Sequence, residues 1–214
     1  MALEATHIRF ALDVQKKYGP VDIPKYMAGA IYPDSRYVTG IDRNLTHLEE
    51  DDREKLLQSD FGKGWHAHLV CDDVQYAVTK ELFPDIFQLK MGNGNVGWVK
   101  HTALKVLQDM DDVQRFDIGA FLPLLSYVEN PNGEDTVKLR AYNEIFVKMY
   151  GKPFAMTIRH AHEMWVQFGI GEKLADEISR QAEAYAKDPQ VMHLVMKIYP
   201  EVIARTLSEK VQRV

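Results

Sequence analysis

The chain of 214 residues contains one cysteine, Cys71, and no apolar run close to the roughly 20 residues that a membrane-spanning helix needs. A single cysteine cannot form an internal disulfide, which favours a reducing compartment and predicts a cytoplasmic protein. Basic residues do not predominate. The formal charge of −5 argues against a general nucleic-acid-binding surface. Residues 1–7 lack a basic region followed by an apolar one, so we expect no secretory signal.

The apolar residues that are present recur mainly with helical spacing, and no segment alternates as a β-strand does. We therefore predict an all-α protein, a multi-helix bundle of about seven to nine helices that spans residues 1–214 as a single domain. No heptad pattern indicates an oligomer. The predicted helices cover about residues 3–18, 23–31, 61–82, 96–111, 113–128, 136–150, 153–168, 171–186 and 189–211, and residues 45–60 are predicted as a loop with a short helix.

A histidine and an aspartate, His68 and Asp72, are four residues apart in the predicted helix at 61–82. Side chains at this spacing lie on one face of a helix, so the imidazole and the carboxylate can reach the same ion. The same pair can also form an ordinary surface contact or hydrogen bond. Taken alone, the spacing does not decide between a metal site and a structural pair.

Three candidate ligands lie upstream of this pair: His7, Asp34 and His47. Taken singly, His7 is a partly buried helix histidine, Asp34 a turn or capping residue, and His47 part of an acidic stretch. Together with His68 and Asp72 they form a set of imidazoles and carboxylates, which suits zinc and also manganese, iron or nickel. Such a site leaves a coordination position for water more readily than a cysteine-rich structural site does.

In order, spacing and flanking residues, these positions resemble the zinc-dependent phospholipase C family, which shares its helical fold with single-strand nucleases. The resemblance covers about the first 80 residues and implies a phospholipase C/nuclease-like bundle. The matching segments are His7, Gly29-Ala30-Ile31-Tyr32-Pro33-Asp34, Thr46-His47 and Gly64-Trp65-x-x-His68-x-x-x-Asp72.

The resemblance also implies a role for each matching residue. Asp34, His47, His68 and Asp72 are expected to surround one ion, and Asp72 is expected to bridge to a second ion to which His7 contributes. Asp34 is then both a ligand and the candidate general base for an attacking water. The implied cofactor is zinc or another divalent transition metal (manganese, nickel or iron), with one or two ions bound.

Two departures from the family pattern bear on the number of ions. Secreted members of the family use the free amino terminus of the mature chain as a ligand, and here Met1 would have to serve. They also use a histidine shortly after the helix pair and a later His-x-x-x-Glu, which this chain lacks. The nearest substitutes are His160, His162 and Glu163, with His101 as a weaker candidate. One or two ions are therefore expected rather than three.

The chemistry of the set leads to a hypothesis for function. The chain is predicted to be a metal-dependent hydrolase that acts on a small phosphate ester, diester or monoester, through metal-activated water. The alternative is a non-catalytic helical protein with a structural or vestigial metal site used for binding. A histidine-aspartate phosphohydrolase is a weaker alternative, because the adjacent His-Asp dipeptide of that class is absent.

Overall fold

The computed structural model describes residues 3–92, 94–151 and 156–208, and within them it contains helices and no strand. The predicted all-α class is therefore confirmed. Eleven α-helices are present in these ranges, more than the seven to nine expected, because three of the eleven are single turns of four residues. The helices are α1 (Glu4–Tyr18), α2 (Ile23–Ile31), α3 (Arg36–Thr39), α4 (Arg43–Thr46), α5 (Asp60–Leu82), α6 (Pro84–Phe87), α7 (Val96–Arg115), α8 (Thr136–Tyr150), α9 (Ile158–Gln167), α10 (Glu172–Ala186) and α11 (Pro189–Ser208).

The helix predicted for residues 113–128 is wrong. Helix α7 instead continues to Arg115, and the chain becomes extended at Phe116. Two short 3₁₀ turns follow, Ile118–Ala120 and Leu122–Ser126. Pro123 sits at the start of the second turn, where its ring fits a first turn but not a helix interior. The predictions for residues 152–155, for residues 209–211 and for Met1 as a ligand lie outside the described residues.

Two glycines allow α2 and α5 to cross with their backbones in contact. A Cβ atom on Gly29 would lie 1.9 Å from the carbonyl oxygen of Phe61, and one on Gly64 would lie 1.8 Å from that of Tyr26. Only glycine fits at such an approach. The crossing places α5 beside the last turn of α2, where the His68 ring reaches the carbonyl oxygen of Ala30 at 2.8 Å.

Helix α1 is buried over most of its length and packs against α2, α5 and α7. Its first turn is attached to α7 by two buried carboxylates. Asp109 Oδ1 accepts the backbone N–H of Thr6 at 2.9 Å, and Asp112 Oδ2 accepts the Thr6 hydroxyl at 2.7 Å. Tyr150 of α8 donates to Asp109 at 2.6 Å. These bonds fix the turn of α1 that carries His7.

No helix within the described ranges is long and apolar enough to cross a membrane. The longest of them, α5, carries charged and polar residues along its length, including two adjacent aspartates at Asp72 and Asp73. Its buried residues include His68, Asp72 and Gln75, so this helix brings polar groups into the interior as well as apolar ones.

The buried carboxyl of Asp109 gives a testable pH dependence. Burial raises the pKa of Asp109 to about 7, above the value of about 3.8 expected when the chain is unfolded. The folded state favours the protonated form of Asp109. The contribution of Asp109 to the free energy of unfolding is therefore fully present below about pH 4 and is lost as the pH rises towards 7. Asp109→Asn removes this titration. Between pH 5 and pH 8 we expect the wild type to lose stability relative to Asp109→Asn. The difference between their free energies of unfolding should change by on the order of 1–4 kcal/mol in favour of the variant. A flat difference in urea titrations across this range would contradict the assignment.

Candidate metal centre

Four different elements bring the five predicted ligands together. His7 lies on α1, Asp34 in the 3₁₀ turn Tyr32–Ser35, His47 directly after α4, and His68 and Asp72 on α5. They form two overlapping groups in which one ligand atom per residue lies within 4.8 Å of the others. One group is His7, His68 and Asp72, and the second is Asp34, His47 and His68. His68 is common to both.

The Asp72 carboxylate faces both groups. Its Oδ1 lies 3.6 Å from His7 Nε2, whereas its Oδ2 lies 3.6 Å from His47 Nε2 and 3.8 Å from His68 Nε2. The two oxygens of one carboxylate thus point at different imidazoles. This is the arrangement that a carboxylate shared between two ions requires.

Asp34 lies on the other side of the second group. Its Oδ1 is 3.8 Å from His47 Nε2, and its Oδ2 is 4.0 Å from His68 Nε2. The residue is 2% exposed, and Oδ1 has no hydrogen-bond partner. Burial raises the pKa of Asp34, and the negative charge of Asp72 raises it further. A buried carboxylate oxygen without a partner is costly unless a ligand satisfies it.

Hydrogen bonding presents one ring nitrogen of His68 to the site. Its Nδ1 lies 2.8 Å from the carbonyl oxygen of Ala30, which can only accept, so Nδ1 carries the proton. Nε2 is left with a lone pair, is buried and has no partner. Metal-binding histidines commonly donate their second ring N–H to a carbonyl in this way. Burial lowers the pKa of His68, which favours the neutral form that binds metals.

The His7 ring stacks on the His68 ring, with centroids 3.6 Å apart and an angle of 12° between the planes. Both ring nitrogens of His7 are buried without a hydrogen-bond partner. Burial, and then the adjacent His68, hold the pKa of His7 well below its ordinary value. Burial likewise lowers the pKa of His47. All three imidazoles are therefore neutral near pH 7, in the state that coordinates cations.

Two buried ionisable side chains near the site were not predicted. Lys105 of α7 is 5% exposed; burial lowers its pKa, whereas the negative charges of Asp72 and Asp34 raise it. Glu4 of α1 is buried, and its Oε2 has no hydrogen-bond partner. Burial raises the pKa of Glu4 well above its ordinary value, and Asp34 raises it further. The spacing of Glu4 three residues before His7 is a sequence signal that could have revealed it, because both lie on one face of α1. No comparable signal marks Lys105.

The substitutes considered for further ligands make other contacts. His162 Nε2 is 2.9 Å from Asp176 on α10, and Glu163 pairs with Arg159 at 3.2 Å. The His101 ring packs against the rings of Tyr76 and Phe87. In the part of the chain that the structure describes, neither of the two ligand groups includes His101, His160, His162 or Glu163.

Comparisons with protein-family models, with curated proteins and with solved structures returned no match. The phospholipase C resemblance therefore rests on the motif residues alone. What the structure adds is the convergence of those residues from separate elements onto one buried location.

Proposed function

We propose that this protein is a metal-dependent hydrolase of small phosphate esters that binds one or two divalent transition-metal ions, such as zinc, manganese, nickel or iron. The observation that carries the proposal is a set of buried ligand atoms without hydrogen-bond partners: Nε2 of His7, Nε2 of His68 and Oδ1 of Asp34. The two Nε2 atoms lie 3.6 and 3.8 Å from the Asp72 carboxylate, and Asp34 Oδ1 lies 3.8 Å from His47 Nε2, so bound cations would satisfy these atoms.

The donor set is suited to a borderline or hard transition metal. The five candidate ligands are three imidazoles and two carboxylates, and no thiolate is among them, although Cys71 directly precedes Asp72 in the chain. Burial raises the pKa of the Cys71 thiol well above its ordinary value, which opposes thiolate formation. A metal ion held here would supply a Lewis acid that lowers the pKa of water towards neutrality.

The side chains of the site would take up the proton of the attacking water and attract the substrate. Asp34 would accept the proton of the attacking water on its carboxylate, as a general base. The positive charges of Arg43 and Arg36 act on His47. Positive charge beside the site favours an anionic substrate such as a phosphate ester.

Asp34→Asn tests the catalytic part of the proposal. We expect zinc- or manganese-loaded Asp34→Asn protein to hydrolyse p-nitrophenyl phosphate or its diester at least about 100-fold more slowly than the wild type, because the amide cannot take up the proton. Asp111→Asn on α7 replaces a carboxylate that pairs with Arg115 away from the site, and serves as the matched control. Equal turnover by the wild type and Asp34→Asn would rule out Asp34 as the base.

A structural metal site is the second candidate function, and the burial of the ligands favours it. The Asp72 side chain, the most open of the five, is only 11% exposed, and structural sites are typically closed. This alternative predicts that chelation unfolds the protein and that no phosphate ester is hydrolysed with any of the four metals. Turnover that depends on added metal would reject it.

A further inference from the structure

His47 is the one candidate ligand whose position does not come from a long helix or from a buried turn. Helix α4 has only four residues, Arg43–Thr46, and His47 follows with φ −109° and ψ 75°, outside the helical region. One helical turn is too short to be stable without outside contacts. The backbone that carries His47 must therefore be held by contacts from other parts of the chain, while the Thr46 hydroxyl contacts Nδ1 of the His47 ring at 3.0 Å.

Three side chains from separate elements supply these contacts by donating to backbone carbonyls around His47. Asn132 Nδ2 donates to Leu45 O at 3.1 Å, Trp65 Nε1 to Thr46 O at 2.6 Å, and Arg53 Nε to Leu48 O at 2.9 Å. We call the contacts of Asn132, Trp65 and Arg53 the His47 clamp. It holds the two residues before His47 and the residue after it.

The clamp also ties His47 to the elements that carry the other ligands. Arg53 Nη1 donates to the carboxylate of Asp73, the residue that follows Asp72 on α5. Trp65 lies on the same helix, one turn before His68. Asn132 Nδ2 also donates to Tyr32 Oη at 2.6 Å, two residues before Asp34. The three donors thus link the backbone around His47 to α5, which carries His68 and Asp72, and to the 3₁₀ turn that carries Asp34.

We propose that Arg53 and Asn132 are positioning residues that, with Trp65, set metal affinity by holding the His47 imidazole at the ion. The inference rests on the proposed metal centre. A side chain that is already placed loses little conformational freedom when it coordinates, whereas a free turn must first be ordered. Arg53 donates two hydrogen bonds in fixed directions, from Nε to Leu48 O and from Nη1 to Asp73. A lysine ammonium on a flexible side chain cannot reproduce this geometry.

Cobalt(II) titration of the full chain tests the clamp, with the dissociation constant measured by competition against a chromophoric chelator. We expect Arg53→Ala and Asn132→Ala each to weaken cobalt binding by about 10–100-fold, as is typical for residues that orient a metal ligand. Arg53→Lys should give an intermediate loss. Lys55→Ala is the matched control, because Lys55 lies two residues after Arg53 and pairs with the exposed Asp52. Unchanged affinity in folded Arg53→Ala and Asn132→Ala would overturn the proposal.

A double-mutant cycle separates positioning from general loss of stability. If Arg53 acts through His47, then Arg53→Ala in a His47→Ala background should change the cobalt dissociation constant by less than about 2-fold. Additive losses would overturn the proposal. The shape of the visible absorption spectrum of bound cobalt should change in Arg53→Ala and in the same way in His47→Ala. A merely structural effect of Arg53→Ala would lower only the melting temperature of the metal-free protein.

The same titration distinguishes failure of the proposed metal centre from failure of the His47 clamp. A wild type that binds no cobalt, zinc or manganese contradicts the metal centre, and the clamp proposal falls with it. A wild type that binds metal as tightly as folded Arg53→Ala contradicts the clamp alone and leaves the proposed centre standing.

Discussion

Replacing both His68 and Asp72 with alanine is expected to remove the transition metal from this protein. We expect the purified, tag-free wild type to carry one or two equivalents of metal after incubation with zinc or manganese, and the double variant less than about 0.1. The reason is geometric. His68 Nε2 belongs to both ligand groups, and Asp72 presents one oxygen to His7 and the other to His47 and His68. Elemental analysis of the protein after desalting measures the outcome.

The protein offers a matched control for this experiment. His162 and Asp176 form a histidine–aspartate pair at 2.9 Å on the surface between α9 and α10. The variant His162→Ala/Asp176→Ala removes the same two residue types without touching the candidate centre, and should keep the metal content of the wild type. Equal metal retention by the two double variants would show that the bound metal does not use His68 or Asp72.

The second large effect is expected at the crossing of α2 and α5. Gly64→Ala places a Cβ atom 1.8 Å from the carbonyl oxygen of Tyr26, a backbone atom that cannot rotate away. The two helices must separate, which disrupts the packing between them. We expect a loss of about 3 kcal/mol or more, or a fall in melting temperature of at least about 6 °C for a chain of this size.

Separation of α2 and α5 should also displace His68 in the metal centre, because the hydrogen bond from His68 Nδ1 to Ala30 O joins the same two helices. The folded fraction of Gly64→Ala is therefore expected to bind metal more weakly as well. Gly171→Ala is the control, since a Cβ there meets no atom within 4 Å and Gly171 has no positive φ. A melting temperature for Gly64→Ala close to that of Gly171→Ala would contradict the described crossing.

The sequence predicted the local part of the centre from periodicity alone. His68 and Asp72 were expected on a helix over residues 61–82, and α5 runs from Asp60 to Leu82. The helical pattern also predicted α2 and α8 with the bounds that the structure has. In these segments, local spacing, capping and breaker residues all favour the same conformation, so a single sequence is sufficient.

The convergence of the distant ligands could not be derived in this way. Only the family resemblance placed His7, Asp34 and His47 near His68, because their proximity depends on how helices cross. That crossing depends on Gly29 and Gly64, which local spacing alone does not identify as a contact pair. The same reason explains why Lys105 and the Arg53–Asp73 contact were not predicted: each depends on packing between segments far apart in sequence.

The most direct measurement of the central claim is anomalous X-ray scattering from crystals grown with zinc, recorded on both sides of the zinc absorption edge. We predict one or two anomalous peaks at about 2.0–2.2 Å from ligand atoms of His68 and Asp72, with Asp34 and His47 around one peak and His7 beside the other. A crystal of the folded protein grown with zinc whose anomalous peaks lie elsewhere, or which shows none, would contradict the account.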